Sequence, residues 1–410
     1  MTVTPSPSPP LQVNLVADDS DSDSESATPA APLPNAAGGG AGGAGLRQIS
    51  DQWHCRSRAA GKRLAQPPPP ASLVMSASTV SVPSISAADL IGAGVSSHRT
   101  LLGHPSVRAS LLAHGIAVVR GYGNAVHPRV SAVAASMEGS GMLSFLDALD
   151  PSIARRTVRM NRFSYHVAST TRASHPCLVQ DRGCASTTEP QTFRSAFAKP
   201  SEAFSEDFEW DELLRSRLPG RLLLYGSDVH NVSLLSYERD GAGAGAGGGA
   251  SLTAATAVGG IDLSGLDMTR LSARDCLYRA MMMEKGLSWP GMSTCYTYFG
   301  RAAACFAAHA EDHNLPSINQ LVYGAPKVWF AVPGANFGAA NAAIRAAVPR
   351  GELPNCPQSL AHKLVLPSLA VLQGAGLPVA RVVQRAGDLI ITAPGAVHFG
   401  VRVHAVHRIG

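Results

Sequence analysis

Apolar and polar residues follow different patterns on the two sides of Pro290. Beyond Pro290, short apolar runs are separated by Gly, Pro and Asn, a pattern that is typical of the strands of a jelly roll. An alanine-rich stretch at 335–348 interrupts these runs and predicts a helix. The runs that we expect to form strands are 294–299, 305–308, 317–323, 327–332, 381–384 and 389–392.

Upstream of this boundary the pattern is less regular. Apolar runs at 115–122 and 222–228 predict strands, and a segment with an acidic start at 207–214 predicts a short helix. Apolar residues at helical spacing predict a longer helix at 261–286. Residues 123–190 give few clear signals, so we expect loops with short elements there. Together these patterns predict an α+β, mainly β, fold, which is a double-stranded β-helix (jelly roll, cupin-like) with flanking helices.

Two segments have a composition of low complexity. Residues 1–85 are dominated by Ser, Pro, Ala and Gly, with an acidic run at 18–25. A segment of this composition cannot bury enough apolar surface to offset the entropy that it loses on ordering, so we expect a disordered N-terminal tail. The Gly/Ala-rich insertion at 238–260 is expected to be a surface loop, where extra length costs little.

Composition also argues against several classes of protein. No apolar run approaches the roughly 20 residues of a membrane helix, and the start of the chain lacks the pattern of a secretory signal. Seven cysteines without a Cys-x-x-Cys pair suggest thiols or metal ligands in a reducing compartment. The net charge of +5 is spread along the chain, so no direct sequence-specific binding of nucleic acid is evident. We expect an intracellular protein with no membrane partner.

Candidate chemistry is concentrated in a His-x-Glu pair and one distant histidine. His309 and Glu311 are two residues apart on an extended segment, so their side chains share a face. His398 follows 89 residues after His309, at the end of another strand-like run. Two histidines and one carboxylate form the facial triad by which oxygenases hold non-haem iron(II) with open coordination positions. The pattern alone is weak evidence because the chain has 14 histidines, and an ordinary core histidine is the alternative for each.

The segments around this triad make the interpretation more specific. They read Tyr-Thr-Tyr-Phe-Gly at 296–300 and Ser-Ile-Asn-Gln-Leu-Val-Tyr-Gly-Ala-Pro-Lys-Val-Trp-Phe-Ala-Val-Pro at 317–333. Over about residues 190–400 the chain resembles the Jumonji-C (JmjC) histone lysine demethylases, in particular the JmjN/JmjC group with a zinc site beside the catalytic domain. In that family an Asn, a Lys and a Trp stand ten, eighteen and twenty residues after the first iron histidine. The residues that keep these offsets from His309 are Asn319, Lys327 and Trp329.

The resemblance implies a binding site for iron(II) and the cosubstrate 2-oxoglutarate. The triad would hold the iron. Lys327 would bind the distal carboxylate of 2-oxoglutarate, and Tyr225 would donate a second hydrogen bond to that carboxylate. Asn319 would contact the cosubstrate near the metal, and Phe306 and Trp329 would line its pocket. A surface position for Lys327 and plain core packing for Phe306 are the alternatives.

The resemblance also implies a site for methylated lysine and a zinc site. Gly291, Tyr296 and Tyr298 match the positions that hold the methylated lysine, although Tyr298 would also suit packing within a strand. Cys356 and His362 match two zinc ligands of the family, and a structural zinc normally has four. The other two ligands of the family lie beyond the residue at which this sequence stops, so the predicted zinc site is incomplete.

We expect residues 86–190 to form an N-terminal accessory region similar to JmjN, and residues 191–410 to form the JmjC catalytic domain with a truncated C-terminal end. The implied function is demethylation of methyl-lysine on the histone H3 tail or another methylated protein, by N-methyl hydroxylation with release of formaldehyde and succinate. The expected setting is the nucleus, with chromatin complexes as partners. Two alternatives stay open: a JmjC protein hydroxylase with a non-histone substrate, and a catalytically impaired chromatin-binding module.

Overall fold

In the computed structural model, the described residues lie within one compact unit, Gly61–Gly410. Most of the predicted tail and of the predicted Gly/Ala-rich insertion lies outside the described residues, as does the part of the predicted helix 261–286 beyond residue 268. The described start of that segment begins with a strand, Ile261–Asp262, so the helix prediction is wrong there. None of the described helices combines the length and the apolar character of a membrane span. The described ranges are 79–169, 175–181, 186–187, 190–197, 205–229, 234–236, 257–258, 261–268, 295–356 and 358–403.

The strands are short, as the alternation of apolar runs with Gly, Pro and Asn predicts. All six strands that we expected beyond Pro290 are present, with ends that differ by up to three residues. The strands of the described ranges are β1 (Val80–Ser81), β2 (Ser84–Ser86), β3 (Ile116–Arg120), β4 (Thr157–Val158), β5 (Asn161–Phe163), β6 (Tyr165–Val167), β7 (Leu178–Gln180), β8 (Ser186–Thr187), β9 (Gln191–Thr192), β10 (Leu223–Val229), β11 (Ala257–Val258), β12 (Ile261–Asp262), β13 (Thr297–Gly300), β14 (Cys305–His309), β15 (Ser317–Gln320), β16 (Lys327–Val332), β17 (Val365–Leu366), β18 (Ala380–Gln384), β19 (Leu389–Thr392) and β20 (Val397–Arg402).

Helices flank the strands, and three of them begin with proline, whose fixed φ and missing N–H suit the first helical position. Short 3₁₀ helices add single turns at Leu234–Ser236, Asp312–Asn314, Gly334–Asn336 and Ser359–His362. The α-helices of the described ranges are α1 (Ala87–Gly92), α2 (His98–Gly103), α3 (Pro105–His114), α4 (Tyr122–Val126), α5 (Pro128–Ser136), α6 (Met142–Leu149), α7 (Pro151–Arg155), α8 (Phe193–Ala196), α9 (Trp210–Ser216), α10 (Phe337–Ala347) and α11 (Leu369–Gly374).

Two facing sheets form the predicted jelly roll. One sheet has the strand order β1-β18-β16-β20-β14, and the other has the order β15-β19-β3-β2. Both sheets contribute to one buried apolar cluster, with Trp329 and Val382 from the first sheet and Val118 and Ile390 from the second. A further four-stranded sheet, β13-β10-β5-β8, adds the strands that carry Tyr225 and Tyr298.

The outer faces of both sheets are covered by helices. Trp210 of α9 packs against Phe330 of β16 and Phe399 of β20, with ring centroids 5.0 and 5.5 Å apart. Its indole N–H donates to the Pro367 carbonyl at 2.8 Å, which satisfies the polar end of a fully buried ring. Strands β16 and β20 are therefore buried on both faces, and this packing holds them in a defined position.

The segment that we predicted as an accessory region supplies part of the jelly roll. Strand β3 pairs antiparallel with β19, from Ile116 opposite Thr392 to Val119 opposite Leu389. Arg120, at the end of β3, forms an ion pair with the buried Asp388 that precedes β19. Residues upstream of 190 therefore help to hold the sheet that faces the strands of the candidate site.

The prediction of loops with short elements at 123–190 was incomplete, because this segment contains the consecutive helices α5, α6 and α7. Their apolar side chains, among them Val130, Phe145 and Ile153, enter one buried cluster together with Phe299 of β13. Each helix is only five to nine residues long, too short to show a clear helical period in the sequence. Packing onto the neighbouring sheet stabilises them instead.

A pair of leucine substitutions tests the packing under the five-stranded sheet. Leu214 of α9 is fully buried, whereas Leu112 of α3 is 77% exposed. We expect Leu214→Ala to lower the free energy of unfolding by about 2–5 kcal/mol, because it removes buried methyl groups and leaves a cavity. The matched change Leu112→Ala should alter it by less than about 0.5 kcal/mol. Urea denaturation measures both, and equal losses would contradict this description of the core.

Candidate metal centre

Two histidines and one carboxylate meet at one end of the jelly roll. His309 is the last residue of β14, Glu311 follows two residues later, and His398 is the second residue of β20. One potential ligand atom from each of the three residues lies within 4.8 Å of the others. Within the described ranges, this is the one group of three or more His, Cys, Asp or Glu side chains with such a geometry. The structure thus brings together the three residues that the sequence nominated as metal ligands.

A bulge in β14 sets the position of His309. Phe306 pairs with Gly400 and His309 pairs with His398, so three steps along β14 correspond to two steps along β20. Without the extra residue, Ala308 would stand opposite His398, and His309 would point to the other face. The bulge therefore places both imidazoles on one face of the sheet, with ring centroids 4.3 Å apart.

The hydrogen bonds of the two imidazoles suit metal binding. His309 donates from Nδ1 to the Ala307 carbonyl at 2.7 Å, and His398 donates from Nδ1 to the Ala396 carbonyl at 3.1 Å. Because Nδ1 carries the proton in each neutral ring, Nε2 offers a lone pair. The Nε2 of His398 lies 3.4 Å from a carboxylate oxygen of Glu311. A lone pair facing a carboxylate is unfavourable unless a cation sits between them, so the donor set fits a divalent metal.

Burial acts on the charges of this cluster. It lowers the pKa of His309, and the neighbouring His398 lowers that pKa further, so the ring stays neutral and able to donate its lone pair. Burial alone would raise the pKa of Glu311, but the contact with His398 and the nearby His309 and Lys363 hold that pKa well below its usual range. These shifts favour a neutral His309 and an ionised Glu311, which are the forms in which the two side chains bind a metal.

The strand that carries His398 has a neighbour on each side. Strand β20 pairs with β14 on one side and along its whole length with β16 on the other. The sequence could not show this, because the partners are strands more than 60 residues upstream.

Lys327 of β16 is buried, with 6% of its surface exposed, so the alternative of a surface lysine is wrong. Its Nζ lies 4.9 Å from the ring centroid of Phe306 and 4.3 Å from that of Trp329. Burial and the nearby Arg402 hold the pKa of Lys327 well below its usual range, while Glu311 acts in the opposite direction. A buried ammonium on aromatic faces beside a metal cluster suits the binding of an anion.

A hydrogen-bond network connects Trp329 and Asn319, which the resemblance also nominates for binding the cosubstrate. Trp329 donates from its indole to Oε1 of Gln384 at 2.9 Å, and Nε2 of Gln384 donates to the Asn319 carbonyl at 2.8 Å. Gln384 is fully buried and stands opposite Lys327 in the sheet. Sequence reasoning missed Gln384, because a glutamine at a strand end has no distinctive spacing signal. It orients the indole and the Asn319 segment relative to each other.

The nominated tyrosines form a partly exposed aromatic cluster. The Tyr225 and Tyr298 ring centroids are 5.9 Å apart and nearly parallel, and those of Tyr296 and Tyr298 are 6.2 Å apart. Tyr298 is 37% exposed and lies in β13, so packing within that strand stays the alternative to a binding role. Gly291 lies outside the described residues. The arrangement offers aromatic faces to a cation at the protein surface.

The two nominated zinc ligands are in the described part of the chain. Cys356 is buried, and its carbonyl accepts a hydrogen bond from Arg345. His362 ends the 3₁₀ helix Ser359–His362. Neither residue belongs to a group of three potential ligands among the described residues. A zinc site therefore stays a prediction.

A histidine substitution tests the metal centre. We expect His309→Ala to weaken binding of Mn(II) by more than about a hundredfold, since even loss of an outer hydrogen-bond partner usually weakens it 10–100-fold. The matched control is His313→Ala, because His313 is exposed in the turn that follows Glu311. Electron paramagnetic resonance of free Mn(II) measures both affinities. Equal affinities in the two variants would rule out His309 as a ligand.

Comparison with known proteins agrees with this geometry. Residues 296–405 match the family model described as "JmjC domain, hydroxylase". The chain is 38% identical over 117 residues to lysine-specific demethylase 4D of Rattus norvegicus, a match that covers 28% of this chain and 23% of that protein. It is 33% identical over 156 residues to lysine-specific demethylase 4B of Mus musculus, which covers 37% and 14% of the two chains.

A plant protein is similar over a comparable segment. The putative lysine-specific demethylase JMJ16 of Arabidopsis thaliana is 36% identical over 122 residues, which covers 30% of this chain and 10% of that protein. In each case the chain spans less than a quarter of the relative's length. The matched family segment contains both histidines, the carboxylate and Lys327, and it confirms the predicted cupin-like fold. Residues 296–405 of this chain therefore match the JmjC domain family, and the chain is similar to segments of lysine-specific demethylases.

Proposed function

We propose that this protein is an Fe(II)- and 2-oxoglutarate-dependent dioxygenase that demethylates methyl-lysine on histone tails, with histone H3 as substrate. The observation that carries the proposal is the cluster of the buried His309 and His398 with the half-buried Glu311, together with the buried cation Lys327. The similarity to lysine-specific demethylases supports the choice of substrate. The nucleus, and chromatin complexes as partners, follow from that substrate.

The triad would hold iron(II), and a set of three protein ligands would leave coordination positions open for other ligands. When bound, iron(II) with 2-oxoglutarate and dioxygen supplies the oxidation of an N-methyl C–H bond. The hydroxylated methyl group then leaves the lysine nitrogen as formaldehyde, and the cosubstrate leaves as succinate and carbon dioxide. The protein's contribution is to position both reactants and to exclude water around them.

The residues around the triad would perform that positioning. Lys327 would pair with the distal carboxylate of 2-oxoglutarate, and Tyr225 would donate a hydrogen bond to it. Phe306 and Trp329, whose ring centroids are 4.6 Å apart, would wall the pocket and keep bulk water from the ammonium. Asn319, tied to Trp329 through Gln384, would contact the cosubstrate near the metal.

The aromatic cluster of Tyr296 and Tyr298 would receive the methylated lysine, with Gly291 completing the site. A methylammonium group has few or no N–H donors, so ring faces recognise it better than hydrogen-bond acceptors do. We further propose that residues 191–410 act as the catalytic domain and that residues 86–190 act as a JmjN-like accessory region. The pairing of β3 with β19 favours this role for the accessory region.

A JmjC protein hydroxylase is the second candidate, and the description of the matched family favours it. It would use the same triad and cosubstrate, but the product would be a stable C-hydroxyl group on a side chain. A non-catalytic module is disfavoured by the intact donor set and by the pairing of β20 on both sides.

Mass spectrometry of methylated histone H3 peptides separates these functions. After incubation with Fe(II), 2-oxoglutarate and oxygen, we expect peptides that have lost the mass of one methylene group for each methyl group removed, together with formaldehyde. His309→Ala should give neither product. A mass gain of one oxygen without formaldehyde would instead indicate the hydroxylase, and unchanged peptides without succinate would indicate the non-catalytic module.

Substitution of Lys327 tests the proposed cosubstrate site. We expect Lys327→Met to raise KM for 2-oxoglutarate by about ten- to a hundredfold, because a hydrogen bond to a charged group contributes roughly 1.5–3 kcal/mol. Saturating 2-oxoglutarate should restore part of kcat, since the triad is unchanged. Steady-state kinetics that show a normal KM with a reduced kcat would contradict a role of Lys327 in binding the cosubstrate.

A further inference from the structure

A second buried cation stands directly beside Lys327. Arg402 is the last residue of β20, and its backbone pairs with that of Lys327 in the antiparallel register of β16 and β20. Arg402 is 8% exposed and Lys327 is 6% exposed. Side chains alternate along a strand, so His398, Gly400 and Arg402 share one face. Arg402 therefore lies on the face that carries the metal centre.

This pair of cations is unfavourable unless an anion joins it. Like charges directly opposite each other in an antiparallel pair repel, and burial removes the water that would screen them. Among the described residues, neither the Lys327 ammonium nor the Arg402 guanidinium has a carboxylate within ion-pair distance. Glu311, the acid whose charge acts on Lys327, belongs to the triad. Within the described ranges, the fold thus holds the two cations together without a carboxylate of their own.

Two glycines show where the guanidinium lies. A Cβ atom at Gly300 would come within 3.0 Å of Nε of Arg402 and 3.3 Å of the Tyr225 ring. A Cβ atom at Gly324 would lie 3.7 Å from Nη1 of Arg402. Gly300 also pairs directly with Tyr225 in the sheet. The guanidinium therefore packs against Gly300 of β13, which has no side chain. It lies next to Tyr225, the tyrosine that we propose as a donor to the cosubstrate.

Arg402 thus stands between two other potential donors, with Lys327 opposite it in the sheet and Tyr225 beside Gly300. Burial lowers the pKa of Arg402, and the neighbouring Tyr225 acts in the opposite direction, which agrees with their proximity. Lys327 offers a point charge, whereas the planar guanidinium can donate two parallel hydrogen bonds to one carboxylate. Together they match a ligand whose far end is a carboxylate.

We propose that Arg402 is a second cationic ligand for the distal carboxylate of 2-oxoglutarate, which it shares with Lys327. This inference rests on the proposed function, because it assigns a further binding residue to the same cosubstrate. The two-cation site makes binding depend strongly on the distal carboxylate. It selects 2-oxo acids that are dicarboxylates over monocarboxylates of the same length.

The test compares two ligands that differ only at that end. Calorimetric titration of the Mn(II)-loaded full chain, without oxygen, measures the affinity for 2-oxoglutarate and for 2-oxopentanoate, which has a methyl group in place of the distal carboxylate. We expect Arg402→Met to weaken 2-oxoglutarate binding by about ten- to a hundredfold. Binding of 2-oxopentanoate should stay the same or become tighter. Arg402→Lys should recover part of the lost affinity, since it restores the charge without the planar fork.

Arg385→Met is the matched control. Arg385 lies just beyond β18, is half exposed and pairs with Glu206, so its loss should leave both affinities unchanged. Thermal denaturation without ligand adds an independent readout. Arg402→Met should melt at the same temperature as the unsubstituted chain or higher, because it removes one of two buried like charges. Arg402→Gln provides the same comparison if the methionine variant does not fold.

The outcomes separate the two proposals. If the unsubstituted chain binds no 2-oxoglutarate, both the proposed function and the role of Arg402 are wrong. If it binds 2-oxoglutarate and Arg402→Met binds with the same affinity, only the role of Arg402 is wrong. An equal loss of both ligands, together with a lower melting temperature, would show that Arg402 has a structural role and would also overturn the inference.

Discussion

The register between β20 and its two neighbours is the constraint on which the site depends. Strand β14 must contain an extra residue for His309 to stand opposite His398, and β16 must pair without a shift for Lys327 to stand opposite Arg402. Gly400 lets the neighbouring strands approach β20 closely, because a Cβ atom there would clash with the Val328 carbonyl and come within 2.6 Å of the Phe306 ring. The strand that joins the metal centre to the cationic pocket is thus held by backbone pairing on both sides and by aromatic packing beneath it.

The site also has an energetic cost. An ammonium, a guanidinium, two imidazoles and a carboxylate lie close together in the interior, where unpaired charges are destabilising. The apolar core on the outer face of the sheet, built around Trp210, Phe330 and Phe399, offsets this cost by fixing the strands. Binding of a metal and of an anion would convert the same charges into attractive contacts. Stability and ligand binding are coupled in such a site, because ligands that bind the folded state stabilise it.

Much of the candidate site could be predicted from the sequence, because its chemistry lies in a few residue types at regular offsets. Alternation along a strand was enough to place His309 and Glu311 together, and the offsets to Asn319, Lys327 and Trp329 supported one interpretation. Other parts could not be found in this way. Gln384 and Arg402 have no local signal, since their importance comes from strands that are distant in the sequence. The short helices α5, α6 and α7 were not predicted for a related reason. Packing onto the neighbouring sheet stabilises them, and their sequences are too short to show a helical period.

The sequence by itself determined which functional groups are available and which of them share a face of a strand. It also determined the sequence of short strands, because side chains alternate with a period of two and Gly, Pro and Asn interrupt the apolar runs. Only the tertiary structure decided which strands are neighbours, where the bulge lies, and that two cations face each other in the interior. The physical reason is that pairing between distant strands depends on the burial of both faces of the sheet, which no local stretch of sequence specifies.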